Sequence, residues 1–248
     1  MTRARLATRA VTLAAASALA LTSCASLPQG PAPLPSTFIP QVSTSEVASA
    51  PGVLAGFTAL ERASMRVRVR TCTKYGTGSA WVLDEHHAVT NRHVVTGATD
   101  IALTSFDGHT YTGTSAVLDS SADLALITVK ESFPDVATVA DAEPNIGDVL
   151  KIAGYPEGQA LAVTEGPFRA RVDDSLENTK DKVYQIEAQS HHGNSGSPVA
   201  NADGEVVGVL YASDDHDVSL AVTLPTLEDF LNDLGSATKV TAGCAAQG

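Results

Sequence analysis

From residue 65 onward, apolar and polar side chains alternate in short runs. "MRVRVRT" sets apolar residues against arginines at every second position, which sends the two kinds to opposite faces of a strand. "GSAWVLD", "HAVTNRHVV", "DIALTSF", "YTGTSAVL" and "DLALITV" follow, with Gly, Asp and Asn between them at intervals of roughly ten residues. A second set comes after "ADAEPNIGD": "VLKIAGY", "LAVTEGPFRARV", "KVYQIEA", "SPVAN", "EVVGVLYA" and "VSLAVTL". Pro144 and Asn145 make that stretch the join between two halves. Short, evenly spaced strands of this kind predict an all-β chain of two barrels, over about 65–140 and 146–225. Only "TLEDFLNDLG" has helical spacing, with Leu227, Phe230, Leu231 and Leu234 on one face. Thr226 suits its N-cap and Gly235 its stop, so a terminal helix is expected over 226–234.

The amino terminus departs from this pattern. Arg3, Arg5 and Arg9 precede a short apolar run over 10–22, the form of a secretory signal and too short for a membrane span. The run ends in "LTSC", which resembles the lipobox of bacterial lipoproteins. That resemblance implies removal of residues 1–23, a lipid on Cys24 and attachment to the outer face of a bacterial cell membrane. Soluble secretion after a cut at a nearby small residue is the alternative. Residues 24–52, dense in Pro, Ser and Ala, read as a tether, which leaves 53–248 as the folded domain.

Charge narrows the partners. With 16 Lys and Arg against 28 Asp and Glu, the chain carries −12, and losing the signal removes three more cations. Nucleic acid demands the opposite sign, so it is excluded as a partner. The three cysteines are Cys24, Cys72 and Cys244, with no CxxC or Cys/His pair at zinc spacing, so neither metal nor cofactor is expected. With Cys24 lipidated in an oxidising compartment, a Cys72–Cys244 disulfide is expected; two free thiols are the alternative. "DDHD" at 214–217 holds metal-ligand types but reads as a solvated hairpin tip.

The candidate chemistry lies in "HHGNSGSPVA", where Ser195 sits between glycines. A serine hydroxyl is a weak nucleophile and needs a base, which in turn needs an acceptor to fix its tautomer. His93, where "AVTNRHVVTG" reads as a strand running into a turn, suits the base. Asp123, directly before the apolar strand residues Leu124, Leu126 and Ile127, suits the acceptor. His86, His87, His109 and His216 read as solvated, while His191 and His192 flank the candidate nucleophile.

"GTGSAWVL", "AVTNRHVV", "SADLALI", "GDVLKIAGYP", "GNSGSPV" and "GEVVGVLYA" occur in the order found in trypsin-like serine proteases. The chain most resembles their HtrA-type and glutamyl-endopeptidase branches over about 65–234. The resemblance implies two antiparallel six-stranded, chymotrypsin-like barrels and a Ser195–His93–Asp123 triad that cleaves protein or peptide substrates. It places the oxyanion hole at the N–H groups of Gly193 and Ser195, and substrate backbone against Tyr211, Ala212 and Ser213.

Specificity is where the family pattern breaks. Neutral Gln189 stands at the expected base of the primary pocket, and Leu210 stands where glutamyl endopeptidases carry a histidine. Ser190, His191 and His192 remain as polar pocket residues, and a small or medium apolar residue before the cut is expected. No peptide-binding PDZ module is expected in the fifty or so residues after Ser195. A catalytically idle fold acting as an envelope binding protein is the competing function, and the oligomeric state stays open.

Overall fold

The computed structural model describes residues 56–119, 121–214 and 217–240. Expectations that fall on the signal, the tether, Cys24, His216 and Cys244 lie outside the described residues. A short helix, α1 (Ala59–Ala63), leads in. Thr58 and Glu61 cap it reciprocally, each side chain bonding the other's backbone N–H.

The alternating stretches are strands. β1 (Ser64–Arg70), β2 (Tyr75–Asp84), β3 (His87–Thr90), β4 (Asp100–Thr104), β5 (Thr110–Leu118) and β6 (Ala125–Val129) pair antiparallel in the order β5-β4-β1-β2-β3-β6. Pairing of β6 back onto β5 closes the first barrel. In β1 the alternation is realised directly: Met65, Val67 and Val69 are buried while Arg68 and Arg70 are exposed.

β7 (Val149–Gly154), β8 (Ala162–Asp173), β9 (Lys182–Ile186), β10 (Pro198–Ala200), β11 (Val206–Ser213) and β12 (Ser219–Thr223) form the second barrel, closed by β10 on β7. Closure removes the open edges that would otherwise invite strand pairing with other chains. Leu150, Ile152, Phe168, Tyr184, Ile186 and Leu210 fill its interior. Trp81, Leu103, Leu124 and Ile127 of the first barrel belong to one apolar cluster with Val183, Val209, Val222 and Leu227, so the barrels share a seam. A two-stranded pairing of β13 (Thr238–Lys239) with β5 lies outside the closed barrels.

The terminal helix starts earlier than its pattern predicts. It runs Leu224–Asn232, with Thr223, not Thr226, at the N-cap. Thr223 is extended, and Pro225 in the first turn has a preset φ and no N–H to leave unpaired, which favours starting there. Cys72, after β1, is disulfide-bonded; Cys244, its expected partner, lies outside the described residues.

Leu150 is fully buried inside the second barrel. Leu150→Ala is expected to lower unfolding free energy by about 2–5 kcal/mol, measured by denaturant titration.

Candidate active site

His93 lies on α2 (Arg92–Val95), a single turn that directly follows β3 rather than extending it. The strand ends at Thr90, and the buried Asn91 gives its side-chain amide to the Asp123 carbonyl at 2.8 Å. This ties the histidine's turn to the loop that carries the aspartate.

Asp123 is 2% exposed. One carboxylate oxygen accepts the His93 backbone N–H at 2.9 Å and the other meets His93 Nδ1 at 2.5 Å. A carboxylate only accepts, so the proton of the neutral ring sits on Nδ1 and Nε2 keeps its lone pair. The His93 side chain is 48% exposed, so that far nitrogen is reachable. Arg92 stands 4.0 Å from the same carboxylate and donates to the carbonyls of Asp119 (3.0 Å) and Asn178 (3.4 Å).

Ser195 sits on the loop between β9 and β10, half-buried, and lines one cavity of about 570 Å³ with His93, Asp123, Asn178, His192 and Gly193. Among the described residues no hydrogen bond joins Ser195 to His93. Gly193 and Gly196 have φ of +94° and +91°, open to glycine at little cost. A Cβ on Gly193 would lie 2.6 Å from the Tyr155 carbonyl, and one on Gly196 2.0 Å from the Ser79 carbonyl.

Some of the loop's amides are engaged and some are open. Those of Asn194, Gly196 and Ser197 donate to the carbonyls of His191, Leu210 and Asn194. Those of Gly193 and Ser195 donate to no acceptor among the described residues. The His192 carbonyl accepts Glu157 N–H at 2.6 Å, and a trans peptide points its C=O and N–H oppositely. Gly193 N–H is therefore turned away from the 155–158 turn. The arrangement offers an acceptor nitrogen, a hydroxyl and two open N–H donors around one cavity.

The expected pocket residues are not all alike. Gln189, His191 and His192 are exposed, whereas Ser190, Leu210 and Tyr211 are buried, with Ala212 and Ser213 half-buried. Gln189 is thus at the surface. Ser219 Oγ donates to the Ala188 carbonyl at 2.8 Å, so Ser190 is the donor in its 2.7 Å contact with Ser219. Ser213 Oγ donates to the Ser190 carbonyl at 3.2 Å. All three hydroxyl protons are engaged.

Several residues at the site carry no sequence signal by themselves. Ser79 reaches the loop from the other barrel, and Tyr155 anchors the 155–158 turn with its hydroxyl on the Ser64 carbonyl at 3.2 Å. Burial pushes the Tyr155 phenol up to about 12. Asp174 organises the wall that includes Asn178. Its carboxylate accepts the Tyr211 hydroxyl (2.7 Å) and the N–H groups of Leu176, Asn178 and Thr179. Partial burial raises its pKa, but those donors outweigh it and hold the carboxyl below its ordinary value.

The two barrels and the shared cavity define a chymotrypsin-like architecture. A model of the family described as a trypsin-like peptidase domain matches residues 76–209, and the chain belongs to that family. It is similar to a probable periplasmic serine endoprotease, DegP-like, of Rhizobium meliloti: 31% identical over 150 residues, 58% of this chain and 30% of that protein. The DegP-like protein of Chlamydia trachomatis is 31% identical over 175 residues, 68% of this chain and 35% of its own length. The chain therefore spans about a third of these curated relatives. Among solved structures, the active form of the Rv3671c protease from M. tuberculosis aligns at a TM-score of 0.66 and 25% identity, covering 75% of this chain and 86% of that one. The HtrA-type protease AlgW with a tripeptide shares the fold at a TM-score of 0.65, with 24% identity, covering 72% of this chain and 62% of that one.

Because the folded pKa of Asp174 is depressed, its stabilisation is present above the ordinary aspartate value and lost as pH falls through the folded one. Asp174→Asn is expected to melt lower than wild type at pH 7, with the gap narrowing as pH drops below about 3.9. A gap that is constant across pH contradicts a role for the charge.

Proposed function

We propose that the chain is an exported serine endopeptidase that works through an acyl-enzyme. Ser195 Oγ attacks the scissile carbonyl while His93 Nε2 takes its proton, and Asp123 holds the ring and balances the imidazolium. The oxyanion lies against the N–H groups of Gly193 and Ser195. His93 then protonates the departing amine, and water repeats the sequence to release the acyl group from Ser195. The observation that carries this reading is the pair of unengaged amides beside a histidine whose tautomer a buried carboxylate fixes.

Substrate backbone pairs with Tyr211–Ser213 on β11 by strand addition. The protons of Ser190, Ser213 and Ser219 are already engaged, so none of these three hydroxyls is left to donate to a carboxylate before the cut. This supports a small or medium apolar residue there. The relatives named as periplasmic support export to the cell envelope. The lipobox-like "LTSC" supports anchoring through Cys24 and the 24–52 tether, and the bonded state of Cys72 supports a bridge to Cys244.

The missing Ser195–His93 hydrogen bond is the observation that favours an idle, peptide-binding fold instead. A fluorophosphonate probe separates the two. Wild type is expected to label on one serine, Ser195→Ala not at all, and His93→Ala far more slowly; unlabelled wild type would establish the idle fold. A peptide library varied at the residue before the cut is expected to favour small and medium apolar side chains. Preference for acidic or basic residues contradicts the pocket reading.

A further inference from the structure

Ser79 belongs to β2 of the first barrel and is 0% exposed, yet most of its hydrogen bonds run into the second. Its N–H donates to the Ser195 carbonyl at 2.7 Å. Its hydroxyl accepts Tyr155 N–H at 2.9 Å and donates to the Gly193 carbonyl, also at 2.9 Å. The directions are unambiguous, because an amide can only donate and a carbonyl can only accept. Its own carbonyl accepts the buried Thr90 hydroxyl at 2.6 Å.

One residue thus grips the carbonyls of Gly193 and Ser195, two residues of the loop whose N–H groups have no acceptor among the described residues. Gly193 is the vulnerable point, since a glycine resists rotation of its flanking peptides only weakly. The peptide before it is held through the His192 carbonyl by Glu157, itself at φ +54° in the turn that Tyr155 begins. The peptide after it is held by the Ser79 hydroxyl. With both peptides fixed, so are φ and ψ of Gly193.

We propose that Ser79 is a positioning residue whose hydroxyl sets the orientation of the Gly193 amide for the oxyanion. It touches no reacting atom; it acts through the Gly193 carbonyl and through the Tyr155 amide at the root of the Glu157 turn. Neighbouring side chains do not duplicate this bond: Asn194 Oδ1 and Ser197 Oγ are buried nearby without partners, and neither reaches the Gly193 carbonyl. The inference rests on the reading of Gly193 and Ser195 as the oxyanion hole.

The test is Ser79→Ala in the full chain. Its kcat is expected to fall by about 10- to 100-fold, somewhat less than the loss of an entire oxyanion donor, with KM within about threefold. Affinity for a peptide boronate, which adds to Ser195 and places an oxygen in the hole, is expected to fall by the same factor as kcat. The Kd of an uncleaved substrate, measured in Ser195→Ala with and without Ser79→Ala, is expected to stay unchanged. Thr104→Val, which removes a buried hydroxyl contact between β4 and β5, controls for general destabilisation and is expected to keep full activity. Should Ser79→Ala unfold, Ser79→Cys keeps a weaker donor of similar size and is expected to show intermediate boronate affinity. Wild-type kcat and boronate affinity in Ser79→Ala, or in Ser79→Cys where the alanine unfolds, overturn the proposal, as does a loss confined to KM. Failure of wild type to bind boronate or to label overturns the underlying hole instead.

Discussion

A carboxylate that is 2% exposed must have its charge answered by hydrogen bonds, and this requirement on Asp123 organises the site. Two donors come from His93 alone, its backbone N–H and its ring Nδ1. The acid therefore dictates both where the α2 turn sits and which ring nitrogen stays open. Asn91 and Arg92 add to the same end by tying α2 to the loops of Asp123 and Asn178. Removing the carboxylate would leave the histidine ring with no defined tautomer.

The serine loop faces the complementary requirement. It must expose two amides without letting the chain collapse onto them, and it does so by engaging its carbonyls instead. Glu157 holds one from within the second barrel, and Ser79 holds two from the first. The cavity consequently exists only where the barrels meet. The continuous apolar seam through Trp81, Leu124, Val209 and Val222 carries structural order from one half of the site to the other.

The strand pattern was legible because burial in a small barrel forces a period of two, and β1 shows it residue by residue. The sequence singles out His93, Asp123 and Ser195 by local context and by the order of the family's motifs, and the structure places all three on one cavity. The turn after β3 was legible in "AVTNRHVVTG" as a strand running into a turn, whereas the Asn91–Asp123 contact that ties it to the next loop is long-range and was not. The helix start was misplaced because two threonines three apart can each cap, and the extended geometry of Thr223 decides between them. Gln189 was placed by resemblance, and its exposure depends on how the loop turns. Ser79 and Asp174 look like ordinary strand and turn residues until long-range contacts give them partners more than a hundred and nearly forty positions away.

The central claim is covalent, that the acyl group of a substrate passes through the Ser195 oxygen. Acid-quenched mass spectrometry of the full chain after brief mixing with a peptide ester tests it most directly. The account predicts one added acyl group, mapped to Ser195, that accumulates early and decays as ester is consumed. Ester turnover with no adduct at any time, or an adduct on another residue that Ser195→Ala leaves intact, contradicts it.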